Sequence, residues 1–158
     1  MAEPTHLNTP AGWREWVSLP QLAVPWIKAK LDTGAATSSL HAFDLEEFER
    51  DGADWVRFRV RPWQESDDDT VTVERPVHDR RSVRSSSGHV DDRLVVLLEI
   101  VLLGRTLEAE VSLSNRDEMG FRMLVGRQAL RQGFLVDAGA SFLGGRAPRP
   151  VRHRNRGR

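Results

Sequence analysis

In one segment after another, apolar residues recur at every second position, and that period commits most of the chain to β-structure. Leu107, Ala109, Val111 and Leu113 alternate with Glu108, Glu110 and Ser112. Val56, Phe58 and Val60 alternate with Arg57, Arg59 and Arg61, and Ile27, Ala29 and Leu31 with Lys28 and Lys30. Successive side chains of a strand point to opposite faces, so each segment reads as a strand with one buried face. The same reasoning predicts strands over 13–19, ended by Pro20, from Val71 through Val73, over 93–103 and 105–114 joined at Gly104, over 121–125 and over 134–137. Segment 44–50 reads instead as helix or turn, with Asp44 as N-cap and Glu47 three residues later. Residues 64–69 read as an acidic loop, 80–92 as a polar, loop-like stretch, and 127–131 as a short helix after Gly126. Many short strands with little helix predict a small all-β barrel or sandwich.

Composition narrows the chemistry. A length of 158 residues, 39% hydrophobic and 29% charged, suits one globular domain. No Cys is present, which removes thiol nucleophiles, disulfides and thiolate metal sites, and no Tyr is present to act as an acid. The five histidines (His6, His41, His78, His89 and His153) show no metal-ligand spacing, and no Gly-rich loop with Lys is seen, so neither metal nor cofactor is expected. The start lacks a signal-peptide pattern, and the most apolar run, 94–103, is broken by Glu99 and too short to span a bilayer. A cytoplasmic protein with no membrane partner is the expectation. Six arginines and no acid lie within 145–158, which leaves the rest of the chain acidic by about six charges. That tail is expected to be disordered, and it is the one place where nucleic acid binding would be sought.

The residues with catalytic potential begin where the strand over 26–32 runs into Asp32-Thr33-Gly34-Ala35. About 90 residues later comes Met123-Leu124-Val125-Gly126-Arg127, followed by Gln128-Ala129-Leu130. With these two motifs the chain resembles the retropepsin-like aspartic peptidases, and within them a bacterial family that goes by the name of ATP-dependent zinc protease. The resemblance also rests on Gly12-Trp13-Arg14-Glu15-Trp16-Val17, Leu19-Pro20, Ile27-Lys28-Ala29-Lys30-Leu31, Thr37-Ser38-Ser39-Leu40-His41-Ala42, Arg84-Ser85-Ser86-Ser87-Gly88 and Met119-Gly120-Phe121-Arg122. It spans about 12–143. It implies a flexible segment over 1–11, a peptidase domain over 12–144 folded as a small closed acid-protease barrel with one short C-terminal helix, and the tail over 145–158.

The resemblance assigns roles. Asp32 becomes the catalytic carboxylate, with Thr33 and Gly34 shaping its loop and Leu124, Val125, Gly126 and Arg127 supporting it. Ala35 and a flap carrying Arg84, Ser85, Ser86, Ser87 and Gly88 would meet substrate. Ala36 and Thr37 stand where viral retropepsins carry acids, so Arg127 is expected to lack its usual partner.

Such catalysis needs two carboxylates about 3 Å apart, which cannot both ionise and therefore share a proton. The ionised acid takes a proton from water while the other protonates the peptide carbonyl. A chain offering one such acid is expected to work as a C2 homodimer with an Asp32 from each copy. Asp137-Ala138-Gly139-Ala140 is the internal alternative. Peptides or proteins are the expected substrates, and Arg75, Arg80, Arg81 and Arg84 in the flap region would favour acidic or glutamyl-tailed ones. A non-catalytic dimeric peptide-binding module and a zinc-dependent peptidase are the competing readings.

Overall fold

The alternating segments form strands where the period predicts them. The computed structural model describes residues 8–63, 69–84, 87–115 and 120–154. In chain order these contain β1 (Thr9–Leu19), β2 (Val24–Asp32), β3 (Ser38–His41), β4 (Phe43–Arg50), β5 (Ala53–Val60), β6 (Val71–Pro76), β7 (Asp79–Arg84), β8 (Val90–Leu102), β9 (Arg105–Ser114), β10 (Met123–Gly126), α1 (Arg127–Leu130), β11 (Phe134–Ser141) and α2 (Arg149–Arg154). Eight strands form one sheet in the order β11-β1-β2-β10-β3-β9-β8-β7, and β4-β5-β6 form a second. A further pairing, Ser18 of β1 with Val101 of β8, rolls the large sheet toward closure. The fold is the expected all-β one.

One continuous core fills the space between the two sheets. Ile27, Ala29 and Leu31 of β2, Val96, Leu98 and Ile100 of β8, and Val56, Phe58 and Val60 of β5 all belong to it. Burying a side chain of that size contributes about 1.5–3 kcal/mol. The β8–β9 hairpin turns through Leu103 (φ 48°) and Gly104 (φ 76°), two consecutive positive values that match the twist of its strands.

Three expectations need correction. Residues 44–50 are a strand, β4, and not a helix. Asp44 has φ 52°, outside the extended region an N-cap occupies. Asp51 (φ 52°) and Gly52 (φ 78°) make a tight turn that folds β4 back on β5, so that Phe48 faces Trp55 and Glu46 faces Arg57. Residues 80–92 are not a loop: β7 and the start of β8 pair as a hairpin from Asp79↔Val95 to Arg84↔Val90. The arginine-rich segment, expected to be disordered, carries the helix α2, and Ala147 is buried with Trp16 and Trp63 while Val151 packs against them. Apolar residues spaced between the arginines anchor it. Residues 155–158, with Arg156 and Arg158, and most of the acidic loop lie outside the described residues.

That anchoring also explains a departure in β2. The period places Lys28 on the solvent face, yet it is only 2% exposed. Its ammonium lies 5.9 Å from the Trp16 ring centroid and 5.7 Å from that of Phe121, a cation held by aromatic faces. Here the sheet is covered on both sides.

Candidate active site

Asp32 is the last residue of β2, and its position follows from how the strands interleave. β10 lies between β2 and β3, parallel to the first and antiparallel to the second. The chain leaving Asp32 must therefore cross the end of β10 before it enters β3 at Ser38. Gly126 ends β10 directly opposite Asp32 in register. A Cβ on Gly126 would lie 2.7 Å from the Thr37 carbonyl carbon and 2.9 Å from the Ala35 oxygen. Only a glycine lets the crossing loop sit this close.

Hydrogen bonds then fix the loop. The Gly34 N–H donates to Asp32 Oδ1 at 2.9 Å. The Arg127 N–H donates to the Ala35 carbonyl at 2.7 Å, and the Gln128 N–H to that of Ala36 at 3.1 Å. The Gly126 N–H donates to Ser38 Oγ at 2.9 Å. Arg127 Nη1 donates to the Thr33 carbonyl at 2.9 Å. In place of an acid, this guanidinium grips the backbone of the loop that follows Asp32. Leu124 and Val125 carry β10 alongside Lys30 and Leu31, with Val125 fully buried. The predicted supporting residues and the Asp32 loop are thus brought together.

What results is a half-exposed carboxylate at a strand end, with Thr33 and Gly34 exposed beside it. Among the described residues its one hydrogen-bond donor is its own Gly34, so the second oxygen is uncommitted. Asp137 repeats the local geometry: the Gly139 N–H donates to Asp137 Oδ1 at 2.8 Å. Asp137 lies on β11, the edge strand, opposite Gly12 of β1. The same side-chain-to-backbone bond therefore occurs twice among the described residues, once at a strand end within the interleaved strands and once inside the edge strand.

The predicted flap is the β7–β8 hairpin. Gly88 has φ 83°, and Arg84, Ser87 and Gly88 are exposed, while Ser85 and Ser86 lie outside the described residues. The four arginines of the predicted flap region differ in availability, and Arg75 lies outside the hairpin, on β6 of the small sheet. Arg75 Nη2 donates to the Leu97 carbonyl at 3.3 Å. Arg80 pairs with Glu47, and with Asp54 at 3.4 Å. Arg81 Nε donates to Asp79 Oδ2 at 2.7 Å, Nη2 to Glu110, and Nη1 to Thr37 Oγ1 at 3.4 Å. Beside it the Asp79 carboxyl is held below the usual carboxylate range, first by the Arg81 hydrogen bond, and Arg81 itself is pushed further up by Asp79 and then Glu110. Arg84 has no such partner among the described residues.

Sequence reasoning left Ser38, Gln128 and Glu110 without roles. Ser38 stood inside a quoted motif, but its hydroxyl's duty to Gly126 depends on β10 arriving beside β3, which no local pattern encodes. Among the described residues no group of three or more His, Cys, Asp or Glu side chains could hold a metal ion, and no helix is long and apolar enough to cross a membrane.

Comparison with known proteins adds a family. A solved structure of Lpg0085, a Legionella pneumophila protein of unknown function, superposes with a TM-score of 0.72 at 29% identity, covering 87% of this chain and 98% of that one. Curated relatives named probable alpha-L-glutamate ligase include one from Desulfotalea psychrophila, 44% identical over 126 residues, and one from Shewanella halifaxensis, 45% identical over 131. The match takes in 80% and 83% of this chain but only 27% and 29% of those proteins, so the chain spans less than a third of their length. These relatives are named as ligases, not as the zinc proteases that the sequence resemblance suggested. The model of the RimB-like family, described as retropepsin-like aspartic endopeptidase RimB, matches residues 10–147, and the chain belongs to that family.

Proposed function

We propose that this chain is an aspartic peptidase whose Asp32 works with the Asp32 of a second copy, and that it hydrolyses peptides rich in glutamate. The observation that carries the reading is the Asp32 carboxylate itself. It is half-exposed and oriented by the Gly34 N–H, on a loop that Gly126 and Arg127 hold from beneath. Among the described residues Asp32 is the one such acid set within the interleaved strands, which calls for a partner acid, and β11 leaves an open edge with Leu135 58% exposed for a second copy to cover. In the pair, one carboxylate takes the proton of the attacking water and the other protonates the scissile carbonyl.

Two observations support an acidic substrate. Arg84 stands exposed on the hairpin while the other three flap arginines are engaged within the chain. Relatives that contain this domain within a longer chain bear the name of a glutamate ligase, and a peptidase beside such a ligase would trim what the ligase adds. The acid pair and a water molecule are the reactants this chemistry calls for, and the cytoplasm is the compartment proposed for it.

The test is mass spectrometry of a peptide bearing a C-terminal run of glutamates, incubated with the native chain and with Asp32→Asn. Loss of cleavage in the variant is expected. A variant that cleaves as well as the native chain would sink the reading. Binding of the peptide by both proteins with cleavage by neither would identify a peptide-holding module, the role suggested by the small share that the domain occupies in its ligase-named relatives.

A further inference from the structure

Arg80 and Arg81 are neighbours on β7 and point to opposite faces of the hairpin, as consecutive strand residues must. Arg80 reaches the small sheet through Glu47 and Asp54. Arg81 reaches the other way, to Glu110 on β9 and to the Thr37 hydroxyl in the loop that follows Asp32. Asp79 accepts from its Nε, so the guanidinium uses donors in three directions at once. His78 Nε2 lies 3.5 Å from the same Glu110 carboxylate, at the base of the hairpin.

Thr37 is not a casual contact. Its carbonyl group packs directly over Gly126, which stands opposite Asp32, and its successor Ser38 accepts the Gly126 N–H. A short physical path therefore runs from the hairpin through Arg81, Thr37 and Gly126 to the acid.

We propose that Arg81 is a positioning residue that couples the β7–β8 hairpin to the Asp32 loop, so that the two segments tighten or loosen together. A guanidinium suits this role because its fork is planar and fixed, and a lysine could not hold Asp79, Glu110 and Thr37 at once. A shift of β7 would in this way reach the loop that carries the carboxylate. The purpose of the coupling rests on the peptidase reading, but the coupling itself is measurable without turnover.

The experiment is hydrogen–deuterium exchange read by mass spectrometry on the full chain and its variants. For Arg81→Gln, exchange is expected to rise about tenfold in both 79–84 and 33–37. Arg81→Lys is expected to restore only part of the protection. In Arg80→Gln, which cuts the tie on the opposite face, 33–37 is expected to keep its native rate. Faster exchange in the hairpin alone, or in neither segment, overturns the proposal. Should Arg81→Gln loosen the whole sheet, Thr37→Val decides: faster exchange in both segments supports the coupling, and native rates in 79–84 overturn it. Because no step requires cleavage, failure of the peptidase reading and failure of this one give different results.

Discussion

Gly126 stands opposite Asp32 in the parallel ladder of β10 and β2, with no side chain between its backbone and the loop that crosses above it. The acid is therefore placed by a glycine some ninety residues away in sequence. Replacing that glycine with Ala would push a methyl to within 2.7 Å of the Thr37 backbone, which cannot yield as a flexible side chain would. Gly126→Ala is expected to cost about 2–3 kcal/mol, in the range of core overpacking. A urea titration checks it, and a midpoint equal to that of the native chain would refute the crossing geometry.

Arg127 provides a separate test of the loop. Its guanidinium is exposed and bonds the Thr33 carbonyl, so Arg127→Ala removes little packing but frees the carbonyl that follows the acid. Stability is expected to stay near native while, under the proposed peptidase reading, the rate of peptide cleavage falls by about 100-fold, the scale of a small misplacement at a reacting group. The comparison is a thermal melt beside a cleavage assay of the same preparation.

Glu15 joins both ends of the described chain. This fully buried carboxylate accepts the Gly12 N–H at 2.6 Å, the Leu143 N–H at 2.8 Å and the Gly144 N–H at 3.0 Å. Glu15→Gln sets an amide donor against N–H groups that already donate. The expected cost is about 2 kcal/mol, with faster proteolysis around 142–147 before the rest of the domain is cut.

Acid is expected to weaken the small sheet. The Glu74 carboxyl is held below its ordinary range by hydrogen bonds from Arg50, then Arg57. A carboxylate whose folded pKa is depressed adds stability that is complete above its unfolded value, ~4.3, and lost as pH falls through the folded one. The group is part-exposed, so solvent screening keeps the effect small. Urea midpoints measured from pH 6 to pH 3 should fall less steeply at the acid end for Glu74→Gln than for the native chain.

Alternation made most strands legible, because burying one face of a sheet leaves its mark at every second residue. It failed where that premise failed. Lys28 reads as solvent-facing, yet Trp16 and Phe121 cover it. Segment 44–50 has the N-cap spacing of a helix, but the Asp51-Gly52 turn beyond it settles the matter by pairing Phe48 with Trp55. That Asp-Gly signal was present in the sequence and outweighs the cap.

The candidate site divides in the same way. Asp32, Thr33 and Gly34, with Leu124 through Arg127, were readable as two motifs, and the interleaving of β10 between β2 and β3 brings them together. Which flap arginines remain available was not readable. Apart from Asp79, two residues from Arg81, the partners that occupy Arg80 and Arg81 come from β4, β5, β9 and the loop after β2, and long-range pairings of that kind leave no local trace.

Because Arg127 closes on a carbonyl of its own chain, the machinery around the acid is finished before any second copy arrives. Under the two-copy reading, folding and pairing are then linked steps that share the folded protomer. About a hundredfold dilution through the pairing equilibrium would collapse specific activity and lower the melting temperature by only several degrees, leaving the protomer folded. Abundance itself would serve as the switch, silencing the enzyme without unfolding it.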